Sequence, residues 1–151
     1  MKVSKVFHPG AVSVEAWQTL RDAARLMKVG GFSCLPVMSG DDLVGIITER
    51  DLVEALAGDD RPASAPVFDY MSEEPKTVTL DDECSLAVTE MLATGCRHLP
   101  VIDHEKLVGV VSARDLLLLA ATSTAEKNSG IGGHAPPPRS YRRRARAEVL
   151  R

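Results

Sequence analysis

Aromatic residues make up only 4% of the 151-residue chain, so a core must be built from Val, Leu, Ile, Ala and Met. No long hydrophobic run is present. The longest, Leu116 to Ala121, falls far short of the roughly 20 residues a membrane-spanning helix needs. The N-terminus, MKVSKVFHPG, has two lysines but no apolar stretch behind them, which argues against a secretory signal. Cysteine is limited to Cys34, Cys84 and Cys96, an odd number without C-x-x-C spacing. That argues against a disulfide framework or a zinc cluster and makes a reducing, cytoplasmic setting the expectation, with the cysteines as small core residues. Neither G-x-x-x-x-G-K-[ST] nor G-x-G-x-x-G occurs, so no Gly-rich loop cradles a phosphate. No nucleophile, base and orienting group stand together: Ser33 and Cys34 have no identifiable base, and Asp41-Asp42, Asp59-Asp60 and Asp81-Asp82 read as solvated turn formers. The chain is not expected to be an enzyme, and no catalytic or metal-ligating residue is assigned.

What is present is charge asymmetry and a repeat. Residues 1–121 hold 11 Lys and Arg against 19 Asp and Glu, net −8, whereas residues 122–151 hold 7 against 2, net +5. An acidic body therefore carries a basic tail. Within the body, GIITERD (45–51) returns as GVVSARD (109–115). Sliding the chain by 64 positions aligns 13–55 with 77–119 without a gap and leaves thirteen identical pairs, among them Met27/Met91, Gly31/Gly95, Pro36/Pro100, Gly45/Gly109 and Asp51/Asp115. The gapless register marks a duplication.

Each copy has one local grammar. Leu20, Ala23, Ala24 and Met27, and then Cys84, Ala87, Val88, Met91 and Leu92, fall at helical spacing, predicting one apolar stripe per helix. Gly31 and Gly95 follow as helix stops that want a positive φ. CLPVM-SGDD-LVGIIT (34–48) and HLPVID-HEK-LVGVVS (98–112) read as β-hairpins. LVEALA (52–57) and LLLLAA (116–121) read as second helices, and a short strand at Ser13-Val14 or Thr77-Val78 stands in front. The expected fold is α/β, two β-α-β-β-α repeats packed about a pseudo-two-fold axis, because neither copy alone could cover its sheet. The boundaries are 1–60, 61–122 and a tail at 123–151 whose Gly, Pro and Ser content predicts disorder. GDDRPASAP (58–66) is the linker, and VFDYMS (67–72) forms one helical turn opening the second repeat.

The phrases T-E-R-D and S-A-R-D place a hydroxyl three residues before an Asp at a helix start, close to a capping box. Such a cap contributes roughly 1 kcal/mol. The same geometry suits a ligand: helix N–H groups attract phosphate, the cap hydroxyl can donate to it, and the carboxylate can accept from a ribose diol. Local chemistry favours the cap, and the two roles are compatible.

The paired pattern of LPV, then L-V-G-h-h-[ST]-x-x-D, behind an Ala/Met-striped helix resembles the CBS domain, and two copies in tandem resemble a CBS pair, over about residues 1–121. The resemblance implies a regulatory module that binds an adenosine-containing ligand such as AMP, ADP, ATP or S-adenosylmethionine in clefts between the repeats, with no required cofactor. It implies that Asp51 and Asp115 hold ribose hydroxyls, that Thr48 and Ser112 contact phosphate or ribose, and that Ser13-Val14 and Thr77-Val78 lie beside the adenine. Arg97 and His98 supply phosphate contacts, whereas the first repeat has Ser33 and Cys34 there, so the clefts are expected to be unequal. Phe7 stands where the second repeat has Met71. A homodimer, helped by Leu116–Leu119, and an effector protein are the implied partners. The alternative is a ligand-free scaffold for protein assembly.

His8, His104 and His134 are expected as surface residues. Trp17 marks a contact surface or packs on the N-terminal segment. Arg142, Arg143, Arg144 and Arg146 belong to a solubilising tail, with nucleic acid, anionic lipid or an acidic partner as weaker readings.

Overall fold

Both apolar hairpins and all four expected helices form in the computed structural model, which describes residues 1–128. In chain order the elements are β1 (His8–Pro9), β2 (Val14–Glu15), α1 (Leu20–Gly30), β3 (Cys34–Ser39), β4 (Asp42–Thr48), α2 (Glu49–Gly58), β5 (Ser72–Glu73), β6 (Val78–Thr79), α3 (Cys84–Thr94), β7 (His98–Asp103), β8 (Lys106–Ser112) and α4 (Ala113–Asn128). Single 3-10 turns at Val3–Lys5 and Val67–Asp69 precede the two repeats, and another lies at Pro62–Ser64. Helices α1 and α3 stop where the spacing placed their ends: Gly31 and Gly95 both take the left-handed conformation, φ 70° and 71°. Helix α4 runs on past Ala121 to Asn128. The expectations for the basic tail, with Arg142, Arg143, Arg144, Arg146 and His134, lie outside the described residues.

The two sheets have matching orders, β2-β3-β4-β5 and β6-β7-β8-β1. In each, a short strand runs parallel to the first hairpin strand, Val14 opposite Val37 and Val78 opposite Val101. The outer strand, however, comes from the other repeat's leading segment. His8-Pro9 pairs antiparallel with Val110-Gly109, and Ser72-Glu73 with Ile46-Gly45. The exchange extends to the cores. Val3 is fully buried with Val78, Ala87, Leu99, Val101 and Val111, whereas Ala65 and Val67 are buried with Val14, Leu20, Leu35, Val37 and Ile47. Its backbone bonds repeat with the 64-residue period: Val3 N–H donates to the Asp82 carbonyl (2.8 Å) as Val67 N–H donates to that of Gln18 (2.8 Å). The helical turn at 67–69 thus opens the second repeat in sequence but packs on the first.

This crossing explains the repeated glycine. A Cβ at Gly109 would lie 2.2 Å from the His8 carbonyl oxygen, and one at Gly45 would meet the Met71 sulfur at 2.6 Å and the Ser72 carbonyl at 2.8 Å. Phe7 and Met71 occupy the same place in the two sheets, each against its glycine. The predicted helical stripes are buried at Leu20, Ala23, Met27, Ala87 and Met91. Val88 and Leu92 depart from the expectation: they are 41% and 80% exposed, because the stripe of α3 is wider than the face its own sheet covers. Trp17 is also exposed, at 71%. No helix among the described residues is long and apolar enough to cross a membrane.

Candidate functional site

Each hairpin delivers its last strand directly into a helix, β4 into α2 and β8 into α4. At the first junction Asp51 N–H donates to Thr48 Oγ1 (3.3 Å), while Thr48 N–H and Oγ1–H donate to Asp51 Oδ2 at 2.7 and 2.9 Å. This is the reciprocal cap the spacing predicts, with Asp in place of the usual Glu. At the second, Asp115 N–H donates to Ser112 Oγ (3.2 Å), and the Ser112 hydroxyl donates to Asp115 Oδ2 through a short bond. Oδ1 of each carboxylate takes no part in the cap. Capping therefore uses half of each carboxylate and is compatible with a second hydrogen-bonding partner.

The basic side chain near each junction differs. Arg97, 69% exposed at its side chain, reaches across the repeat boundary to Glu49 on the first turn of α2, Nη2 to Oε2 3.7 Å. It thus stands over the Thr48/Asp51 junction. Beside Asp115 stands His8, Nε2 2.8 Å from Oδ2. His8 is at the surface, its side chain 44% exposed, and it has a partner: β1 belongs to the second sheet and carries His8 to the motif carboxylate, 107 residues away in sequence. His104 does sit in an exposed turn, beside Asp103.

His98 lies between the junctions. Its Nδ1 meets Ser33 Oγ at 3.2 Å, its ring stands edge-on to Phe32 with centroids 5.9 Å apart, and its backbone pairs with Ser112. Burial, followed by the nearby Arg97 charge, holds the imidazole below its ordinary value, so its neutral form is favoured. Ser33 and Cys34 are therefore the immediate neighbours of His98 across the boundary, and Arg97 and His98 both face the first repeat.

The remaining expected contacts divide. Val14 and Val78 are each 1% exposed and belong to the two cores, so they offer a ligand backbone rather than side chain. Ser13 is half-buried and Thr77 exposed, each one residue ahead of its short strand. The structure brings together Thr48 and Asp51 at one junction, with Arg97 reaching the adjacent Glu49, and Ser112, Asp115 and His8 at the other, with His98 between. Of these only His8 escaped sequence reasoning, and only its pairing through a two-residue strand could have revealed it.

The family model for the CBS domain matches residues 3–58 and 67–121, together well over half the chain. The chain belongs to the CBS-domain family. Its two CBS repeats are 41% identical over 117 residues to a 17.7 kDa protein of Acidianus ambivalens, covering 76% of this chain and 70% of that one. They are 32% identical over 103 residues to the CBS domain-containing protein YhcV of Bacillus subtilis, covering 66% and 71%. The crystal structure of the CBS domain pair of protein MJ0100, in complex with 5′-methylthioadenosine and S-adenosyl-L-methionine, superposes with a TM-score of 0.72 at 22% identity, covering 82% of this chain and 98% of that chain. At that identity the match establishes the CBS-pair fold.

Proposed function

We propose that this CBS pair is a regulatory sensor whose two clefts take an adenosine-containing ligand of the AMP, ADP, ATP or S-adenosylmethionine class. The observation that carries the reading is the pair of strand-to-helix junctions, each with a capped carboxylate whose second oxygen is outside the cap. Asp51 and Asp115 would accept from ribose hydroxyls, Thr48 and Ser112 would donate to ribose or phosphate, and Ser13, Val14, Thr77 and Val78 would border the adenine through backbone and short side chains. Arg97 would favour phosphate at the first junction, with His98 as a neutral donor beside it. The MJ0100 pair, which shares the fold, was captured with two adenosine derivatives. Ligand would act by binding one arrangement of the repeats more tightly than another.

A homodimer would transmit that shift to an effector protein. Leu86, Val88 and Leu92 on α3 and Leu117 and Leu118 on α4 are 41–80% exposed, an apolar face of the kind that marks a contact surface. Three free thiols suit a reducing, cytoplasmic setting. We place the functional units at 1–60 and 61–122, with 123–151 dispensable for ligand binding.

Calorimetry with AMP, ADP, ATP, NAD and S-adenosylmethionine on the full chain tests the reading. Binding of one of them, weakened in Asp51→Asn or Asp115→Asn with the fold retained, is the expected result. Silence from all five would favour a ligand-free scaffold for assembly, a reading favoured by His8 and the caps already engaging both motif carboxylates.

A further inference from the structure

Cys34 opens β3 of the first repeat, and Cys96 stands two residues ahead of β7 in the second. Their side chains meet at the repeat boundary. Both thiols donate to one acceptor, the His98 carbonyl oxygen, Cys34 Sγ at 3.4 Å and Cys96 Sγ at 2.9 Å. Neither thiol is in a disulfide, and the two are not equivalent under the duplication, since Cys34 aligns with His98 and Cys96 with Phe32. Cys34 is 3% exposed and Cys96 8%. Cys96 follows the exposed Thr94-Gly95 turn and precedes the exposed Arg97, one residue from solvent on either side.

We propose that Cys34 and Cys96 form a peroxide-oxidisable thiol pair, closing to a disulfide that links the two repeats. The chemistry assigns distinct parts to the two sulfurs. When the Cys34 S–H turns from the His98 carbonyl to the Cys96 sulfur, its hydrogen bond is the main influence drawing the Cys96 thiol down to about 7, and the Arg97 charge adds to it. The same bond and burial push Cys34 up. Cys96 is thus partly thiolate near neutral pH and is the nucleophile. Its sulfur attacks one oxygen of hydrogen peroxide, the O–O bond breaks, and the departing hydroxide takes a proton to become water. Cys96 is left as a sulfenic acid, oxidised by two electrons. The Cys34 sulfur then attacks the Cys96 sulfur, the S–O bond breaks, and water leaves with the Cys34 proton as the disulfide forms. Two thiols and one peroxide give one disulfide and two waters. Cytosolic disulfides of this transient kind serve redox sensing. Cys84, packed against the second core beside the N-terminus, has no thiol neighbour of this kind among the described residues.

The test is to titrate the native, reduced full chain with hydrogen peroxide, count free thiols and map peptides by mass. Loss of two of the three thiols, a Cys34–Cys96 linked peptide and recovery of both thiols with dithiothreitol are expected. Cys84→Ser should leave the link intact, and Cys34→Ser should leave Cys96 as a trappable sulfenic acid. Half-maximal alkylation of Cys96 near pH 7, ahead of Cys34, is the companion expectation and needs no variant. A link through Cys84, a Cys96 sulfinic acid beside a free Cys34, or three thiols surviving native oxidation would each overturn the proposal.

Discussion

The two repeats share a backbone plan and differ in what they present outward. Helix α1 begins with a full capping box, Thr19 and Asp22 bonding reciprocally at 3.0 and 3.2 Å, and exposes Arg21, Arg25 and Lys28. Helix α3 has no side-chain cap. The N-terminus serves instead: the Cys84 N–H donates to the Met1 carbonyl at 2.8 Å, and the Met1 ammonium meets Glu83 at 2.7 Å. Where α1 shows Asp22, Ala24 and Lys28, α3 shows Leu86, Val88 and Leu92. Beside α3, an apolar groove lined by Met1, Cys84, Val88, Leu116, Leu119 and Ala120 continues that face toward α4. Duplication preserved the residues that set the frame, Gly31/Gly95, Gly45/Gly109, the LPV strands and the caps of α2 and α4, and released the outer helix positions to diverge. The outer face of α3 became apolar and that of α1 charged, while α2 and α4 both keep exposed apolar residues, Val53 and Leu56 on one and Leu117 and Leu118 on the other.

That asymmetry can be broken at four points, from the largest expected effect to the smallest. Gly109→Ala should destabilise the fold by about 3 kcal/mol and Gly45→Ala by about 1 kcal/mol, measured by urea unfolding. The added carbon meets rigid backbone at His8 in the first case, and in the second a methionine side chain that can turn aside as well as the Ser72 carbonyl. Leu92→Glu should convert the proposed homodimer to a monomer by light scattering, while Lys28→Glu at the matching position of α1 leaves the mass unchanged. Asp51→Asn and Asp115→Asn should each reduce adenosine-ligand affinity about tenfold at its own cleft, the value of one hydrogen bond to a charged acceptor. Each should lower stability by no more than about 1 kcal/mol, because the amide oxygen still accepts at the cap.

The smallest effect is on pH dependence. His98 is held below its ordinary value of 6.5, so the unfolded chain takes up its proton first as pH falls. The stability from neutral His98 is fully present above 6.5 and is lost as pH drops below it toward the folded value. His98→Gln should flatten the stability profile in that window and leave it unchanged at pH 8.

Much of this was legible in the sequence, for physical reasons. A 64-residue offset without gaps fixes both hairpins in register, and helical spacing interrupted by glycine marks where α1 and α3 end. The hydroxyl and Asp three apart predict caps because that chemistry is local. The outer strands were not legible: His8-Pro9 and Ser72-Glu73 are too short for a period and owe their pairing to the opposite sheet. The His8–Asp115 contact follows from that pairing alone. Val88 and Leu92 misled because an apolar stripe has one spacing whether a core or another surface covers it. The unequal surroundings of the two junctions were expected, but that the Arg97 side chain reaches Glu49 at the start of α2 required the fold.

The exchange of leading segments means that neither half is a self-sufficient folding unit. Cutting the chain between Gly58 and Arg61 would not release two miniature proteins, because each fragment would leave its neighbour's missing edge behind and carry off the wrong one. An ancestor with a single copy would have had to meet its twin before either was complete, each lending the other its first ten residues. Joining the copies in one gene turned that encounter between molecules into a step within one chain, independent of concentration.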